Sequence, residues 1–434
     1  MPTILTSFIG KGRLASEGEG KYVKTTYCFT AEDGSTRYEE ASFFGVALWR
    51  YLNATGRQVD RWLIMGTGQS MWDALTTEML TGKDESTFYD QHMDLWAEVE
   101  QSARAGDIND ALLHEWEDAL KPFVQPTELS LRIVGAGDTI QSQLRIWEAL
   151  VEVTEFGDDK VDIILDITHA FRHQPVIAAF MVTLLRWLRN VSNVELYYGA
   201  FEMACGGAEC PVLHLKLVNE LLQATEALAT LRYTGSFMQL ARVLRLNNEM
   251  RELIDSIAFR EETNQQPRTD AERCLKQLHK LRSEEGNPIR RMLMDKLIEP
   301  LKWVHEETLA QRMAHRAEDA KRHGHYLKAI VLLYEALLVA ACQMFKTGDP
   351  LTYDARQSAE ERLNEHLIGT DKQTFKDIKD LRNTVAHGTV TQSEAVREAL
   401  RSARKFRELF DDGMQLLKCL LERLKNSYIM HRHR

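Results

Sequence analysis

Val161-Asp162-Ile163-Ile164-Leu165-Asp166-Ile167-Thr168-His169-Ala170-Phe171-Arg172 decides how the first half of this chain is read. Apart from Asp162, the run from Val161 to Leu165 is short, apolar and largely β-branched, which predicts a buried strand. It ends in a polar set, Asp166, Thr168, His169 and Arg172, and Pro175 then suits the first turn of a helix running to Leu188. A buried strand that empties into polar residues and turns at once into a helix is one half of a β-α-β unit.

Working outward, the same unit recurs. Ile4 to Ile9 is a strand run followed by Gly10 and Lys11. Val59 to Met65 leads into Gly66-Thr67-Gly68-Gln69-Ser70 and a helical stretch from Met71 to Leu80. Leu129 to Val134 leads into Gly135-Ala136-Gly137-Asp138 and a helix from Thr139 to Val153. Tyr22 to Thr30 is β-rich and expected to pair nearby as a hairpin, Ala41 to Leu52 looks helical, and Val194–Phe201 and Pro211–Leu217 make two later strands. An acidic, helical stretch at about 84–122 reads as an insertion. Strands alternating with helices predict an α/β domain with a parallel-rich sheet. Ligands of such sheets sit off the carboxyl ends of the strands, where all four loops fall. Both glycine pairs begin a G-x-G-x-x-G, but Met71 and Ile140 stand in the third glycine's place, which argues against a dinucleotide enzyme.

The whole chain has 434 residues, 44% hydrophobic and 27% charged, which suits two folded domains. Its net charge of -10 excludes a broadly basic nucleic-acid-coating protein but not a local basic site. Six cysteines are dispersed; Cys205 and Cys210 are close but lack a C-x-x-C or a second ligand pair, so no metal is expected. The start lacks a signal-peptide pattern, and the longest apolar run, Ala329 to Phe345, carries Glu335 in its middle and is shorter than a membrane span. The expectation is a soluble, cytoplasmic protein without a membrane partner.

After Leu217 the strand signal disappears. A helical stretch from Val218 to Leu246, interrupted at Gly235, precedes a polar break at Glu261–Asp270. Helices follow over Ala271–Leu281, Ile289–Leu301, Thr308–His323, Tyr326–Phe345, Ala355–Leu367, Thr374–His387 and Ser393–Asn426. Leu327, Ile330, Val331, Tyr334, Leu337, Leu338 and Ala341 have the spacing of a core-facing stripe, with Glu335 a candidate buried polar partner. Asp380-Leu381-Arg382-Asn383-Thr384-Val385-Ala386-His387-Gly388 places Asn383 and His387 on one helix face with Arg382 beside them. A guanidinium can hold a phosphate oxygen and an imidazole can move a proton near neutral pH. Taken alone, the stretch also reads as an ordinary helix end, with Gly388 as its cap.

Asp166 to Arg172 resembles the D-x-T-H-x-x-R signature of CRISPR-associated CARF domains, a Rossmann-like family that binds cyclic oligoadenylates; Ala170 replaces the expected glycine. Gly66–Asp73 and Tyr197–Glu202 resemble two further blocks of that family. Arg382-Asn383-x-x-x-His387 in a helical bundle resembles the R-x(4–6)-H signature of HEPN nucleases, and His323-Gly324-His325-Tyr326 resembles the opening of a HEPN core helix. The resemblance implies a CARF-like sensing domain over 1–217, a helical linker region over 218–270 and an all-α HEPN-like domain over 271–434. It implies a homodimeric endoribonuclease of type III CRISPR defence that cleaves single-stranded RNA without a metal. Catalytic roles then fall to Arg382, Asn383 and His387. The allosteric activator is a cyclic oligoadenylate, cyclic tetra-adenylate being the expected ring although no residue sets its size. Thr168, His169 and Arg172 are the matched ligand contacts; Gly10, Lys11, Thr67, Ser70 and Gly137 are candidates by loop position. A non-catalytic sensor, or a sensor that degrades its own ligand, are the alternatives.

Overall fold

Every residue of β1 (Thr3–Phe8) is buried, because this strand lies inside an eight-stranded sheet with partners on both sides. The computed structural model describes residues 1–12, 22–31, 33–80, 83–157, 159–204 and 209–432, so Cys205 lies outside the described residues. The chain divides into two units, Met1–Leu222 and Gln223–Arg434.

In the first unit the remaining strands are β2 (Thr25–Thr30), β3 (Thr36–Ala41), β4 (Arg61–Gly66), β5 (Glu128–Ile133), β6 (Val161–Asp166), β7 (Val191–Gly199) and β8 (Cys210–His214). Their order across the sheet is β3-β2-β8-β7-β6-β1-β4-β5. β7, β6, β1, β4 and β5 are mutually parallel, whereas β8 runs antiparallel to β7 and β2 pairs antiparallel with β3. The hairpin expected around Tyr22–Thr30 is present, with β2 also parallel to β8. From β1 the chain builds outward through β4 to β5, then returns to lay β6 on the other side of β1. The switch in direction therefore falls between β1 and β6, where a parallel sheet opens a crevice at its carboxyl edge.

Side chains alternate across the sheet, so β1 sends Leu5 to one face and Ile4 and Phe8 to the other. The Leu5 face is covered by α1 (Phe44–Ala54), α2 (Ala74–Met79), α3 (Lys83–Ala105) and α4 (Asp110–Leu120). The acidic stretch that reads as an insertion thus contributes Phe88, Val99, Leu113 and Trp116 to this core. The opposite face is covered by α5 (Ile140–Val153) and α6 (His173–Leu188).

The second unit is helical among its described residues. α7 (Lys216–Thr234) leads into it; α8 (Met238–Val243), α9 (Asn248–Glu262), α10 (Arg268–Glu284) and α11 (Pro288–Ile298) share a core around Leu240, Ile254, Leu278, Leu297 and Trp303. A second core gathers α12 (Leu309–Arg322), α13 (Tyr326–Phe345), α14 (Tyr353–His366), α15 (Gly369–His387), α16 (Glu394–Arg401) and α17 (Ala403–Arg432). The single helix expected from Ser393 is broken at Ser402, whose backbone is extended. Among the described helices α13 alone is long and apolar enough to cross a membrane, but two-thirds of its apolar window is buried in this unit. Burial runs all round α13 from Leu332 to Cys342, while Leu327, predicted to face the core, is exposed.

Candidate functional site

The loop after β6 is tied down residue by residue. Asp166 is fully buried; its Oδ1 accepts the Thr168 amide hydrogen at 2.8 Å, and its Oδ2 is buried without a partner. Burial pushes this carboxyl up to about 7. Thr168 Oγ1 accepts the Gly199 amide hydrogen at 2.8 Å, joining the ends of β6 and β7. His169 Nε2 accepts the Phe44 amide hydrogen at 3.1 Å, at the start of α1, where the Phe43 N-cap offers no side-chain acceptor. An accepting Nε2 puts the ring proton on Nδ1, and desolvation brings the pKa down to about 4, so the imidazole is neutral. Arg172 is exposed, makes no hydrogen bond or ion pair within the described residues, and helps hold the Glu202 carboxyl below its usual range, after the Tyr198 hydroxyl bond.

The neighbouring loops converge on this one. A methyl group on Gly10 would stand 3.8 Å from His169 Cβ, so the β1 and β6 loops touch across the switch point. Gly10 O accepts the Met71 amide hydrogen at 2.9 Å, and Ser70 Oγ donates to Ile9 O at 2.7 Å while accepting the Thr67 amide hydrogen at 2.9 Å. The hydroxyl of Ser70 is thus buried and spent on shaping the β1 and β4 loops. Gly135 and Gly137 both have φ of +74°, a conformation that favours glycine. Their loop is pinned to α6: Gln174 Nε2 donates to Gly135 O at 2.7 Å and His173 Nε2 to Ala136 O at 2.9 Å. Lys11 and Arg172 are exposed cations at this edge.

In the second unit α15 ends at His387, with Gly388 in the left-handed conformation at φ +65° and its amide bonded to Thr384 O at 2.9 Å. His387 is exposed and Arg382 half-buried. Arg382 Nη1 donates to Asn383 Oδ1 at 2.9 Å, its Nη2 stands 3.7 Å from Glu335 of α13, and its guanidinium lies 5.4 Å over the Tyr334 ring. Tyr334 is fixed in turn by a 2.6 Å hydrogen bond from its hydroxyl to Glu360 of α14, and burial together with that carboxylate raises its pKa. The helix end is braced by Thr391, which bonds Asp380, and by Ser393, which caps α16 and bonds Asp377 at 2.8 Å. An arginine on an aromatic platform, an amide and an exposed imidazole one turn away can together grip a phosphate and move a proton.

Residues 4–201 match the family described as CRISPR system endoribonuclease Csx1, CARF domain. This is a Csx1-type CARF domain. The chain's similarity to CRISPR-associated proteins extends beyond these residues. The chain is 22% identical over 362 residues to CRISPR-associated protein MJ1674 of Methanocaldococcus jannaschii, covering 77% of this chain and 55% of that protein. The chain spans about half the length of that curated relative. Among solved structures, Enterococcus italicus Csm6 bound to cyclic hexa-2'-fluoro-hexa-dAMP superposes with a TM-score of 0.40 and 10% identity, over 98% of this chain and 95% of that one.

Within the CARF domain the structure brings Gly10, Thr168 and His169 together at the switch point, with Thr67 and Ser70 joined to them through the Met71–Gly10 bond. Gly137 meets the same edge by another route, against His173 and Gln174. Those two residues escaped the sequence reading, although a polar pair opening a helix directly after Arg172 was a visible cue. Glu335 was visible too, as a carboxylate in an apolar run, but its partners were not.

Proposed function

We propose that this protein is a cyclic-oligoadenylate-activated, metal-independent endoribonuclease acting on single-stranded RNA in type III CRISPR antiviral defence. The observation that carries the reading is one chain joining a Csx1-type CARF domain to a helix end that bears half-buried Arg382 and Asn383 and exposed His387. Residues 1–217 sense, 271–434 cleave, and 218–270 connect them, in a cytoplasmic homodimer.

In this reading the RNA 2′-oxygen attacks the adjacent phosphorus and the 5′-oxygen leaves, giving a 2′,3′-cyclic phosphate. His387 takes the 2′-hydroxyl proton or supplies one to the leaving oxygen, Arg382 neutralises the charge gathering on the phosphate, and Asn383 orients the arginine. These groups suffice chemically without a metal. A twofold dimer doubles them, so that one histidine serves as base and the other as acid. An apolar face supports the dimer: Val176, Phe180, Leu184 and Trp187 share one side of α6 and are 51–71% exposed, alongside Ile140 and Leu144 of α5.

The ligand edge holds the activator through Gly10, Lys11, Thr67, Ser70, Gly137, Thr168, His169 and Arg172. The backbone groups of Gly10 and Gly137 and the side chains of Lys11 and Arg172 make direct contacts. Thr67, Ser70, Thr168 and His169, bonded inward, hold the loops in shape. A ligand activates only if it binds the active arrangement better than the resting one. Labelled RNA incubated with the protein, with and without cyclic tri-, tetra- and hexa-adenylate, tests the proposal. Cleavage that depends on one ring and survives chelator is expected; no cleavage with any ring sinks it. The internal engagement of Arg382 favours, as second reading, a sensor that binds ligand without turnover, and the same assay with a ligand-binding measurement separates the two.

A further inference from the structure

Arg382 shares its carboxylate. Glu335 sits in the middle of a helix apolar enough to pass for a membrane span, and it is buried there. A carboxylate in such surroundings is costly unless cations meet it. Two do. Arg356 of α14 hydrogen-bonds one oxygen of Glu335, and Arg382 of α15 stands 3.7 Å from the other. These contacts are unequal, because 3.7 Å is too long for a hydrogen bond. Arg356 is committed elsewhere as well, its Nε donating to Pro350 O at 2.6 Å, which anchors its guanidinium against Glu335. The carboxylate is therefore claimed by Arg356, and the positive charge left over in the trio resides on Arg382. Arg382 also keeps its Nε buried with no partner, so its bonding is incomplete in this arrangement.

We propose that Glu335 and Arg356 are a positioning pair that sets the charge Arg382 presents to an RNA phosphate. This rests on the ribonuclease reading and adds to it the two residues that keep its arginine available. Without Arg356, Glu335 closes on Arg382 and neutralises it. Without Glu335, both guanidiniums stand unopposed. The trio then carries two positive charges in Glu335→Gln, none in Arg356→Ala, and one in the double variant, as in the wild type.

The test measures the affinity of a fluorescently labelled, non-cleavable 2′-O-methyl RNA for the whole 434-residue chain, with cyclic tri-, tetra- and hexa-adenylate present in turn. Glu335→Gln is expected to bind tightest, the wild type and the double variant alike, and Arg356→Ala weakest, with roughly tenfold for each charge step. The salt dependence of Arg356→Ala should be shallower by about 0.7 in log–log slope, as for one lost phosphate contact on a single strand. Melting temperatures should follow a different order, the wild type standing above either single variant, because each breaks a buried pair. A purely structural pair would make Glu335→Gln a weaker binder, not a tighter one. Glu335→Gln binding no tighter than wild type, or a double variant as weak as Arg356→Ala, overturns the proposal. Should Arg356→Ala fail to fold, the wild type, Glu335→Gln and the double variant decide it alone. Wild-type protein that neither binds nor cleaves RNA defeats the ribonuclease reading itself, and this proposal with it. Wild-type protein that binds and cleaves, with all variants binding alike, defeats only this inference.

Discussion

His169 Nε2 accepts the amide hydrogen of Phe44 at 3.1 Å, across 125 residues of sequence. A residue of the ligand-edge loop thereby caps the first helix of the CARF domain. Helix starts leave amides without internal partners, and an acceptor there is worth about 1 kcal/mol. His169→Ala should therefore lower the unfolding free energy by ~0.5–2 kcal/mol. In urea the midpoint should fall with the slope unchanged. A midpoint equal to that of the wild type would show that the bond contributes nothing.

Asp166 and His169 pull the pH dependence of stability in opposite directions. His169 is held down to about 4, so its contribution is present above its ordinary value near 6.5 and is lost as pH falls toward 4. Asp166 is raised to about 7, so its contribution is present below the usual carboxylate range and is lost as pH rises toward 7. Asp166→Asn removes only the second effect. Its stability relative to wild type should climb between about pH 4 and 7 and level off above. A difference that is flat with pH, measured by urea titration across that window, would mean Asp166 is not protonated in the folded protein.

Replacing His387 with alanine should abolish RNA cleavage, a loss of at least about a hundredfold in rate for a missing proton-transfer group. The side chain is exposed at a helix end, so unfolding free energy should stay within roughly 0.5 kcal/mol of wild type. Undiminished cleavage by the pure variant would end the catalytic assignment.

Arg172→Ala addresses the other end of the proposal. Arg172 is exposed at the opening of α6 with no hydrogen bond to lose, so its removal should not destabilise the domain. An arginine–phosphate contact is worth roughly 1.5–3 kcal/mol, so half-maximal activation should need about ten- to a hundredfold more cyclic oligoadenylate. The saturated cleavage rate should approach that of the wild type. An unchanged midpoint in a full titration would take Arg172 out of the ligand site.

Much of the frame was legible because local pattern and burial agree. β4 and β6 are largely apolar runs and β5 alternates polar with apolar, each closed by glycines or a polar set, and each was placed within a few residues. The cap at Gly388 was legible too, since a positive φ at a helix end favours glycine. β3 was not, because Thr36–Ala41 is polar and mostly exposed and looks like a loop until β2 lies beside it. The inward bonding of Ser70 and His169 was equally hidden. Their partners Ile9 and Phe44 lie 61 and 125 residues away, brought close only by the sheet. Glu335, Arg356 and Arg382 sit on three helices, so no spacing rule could have joined them.

β3 has a consequence for how this protein behaves when crowded. It is an outer strand of the sheet, and an open strand edge is a template on which a foreign strand can grow. Here that edge carries Arg37, Glu39 and Glu40, and Arg37 is paired with Glu39 at 2.8 Å. A strand arriving alongside would have to strip water from these charges, so ribbon-like growth is discouraged at that edge. In the proposed dimer, self-association falls instead to the exposed apolar side of α6, whose contacts would close on a finite pair. Foreign strands should therefore add poorly at the β3 edge even at high concentration.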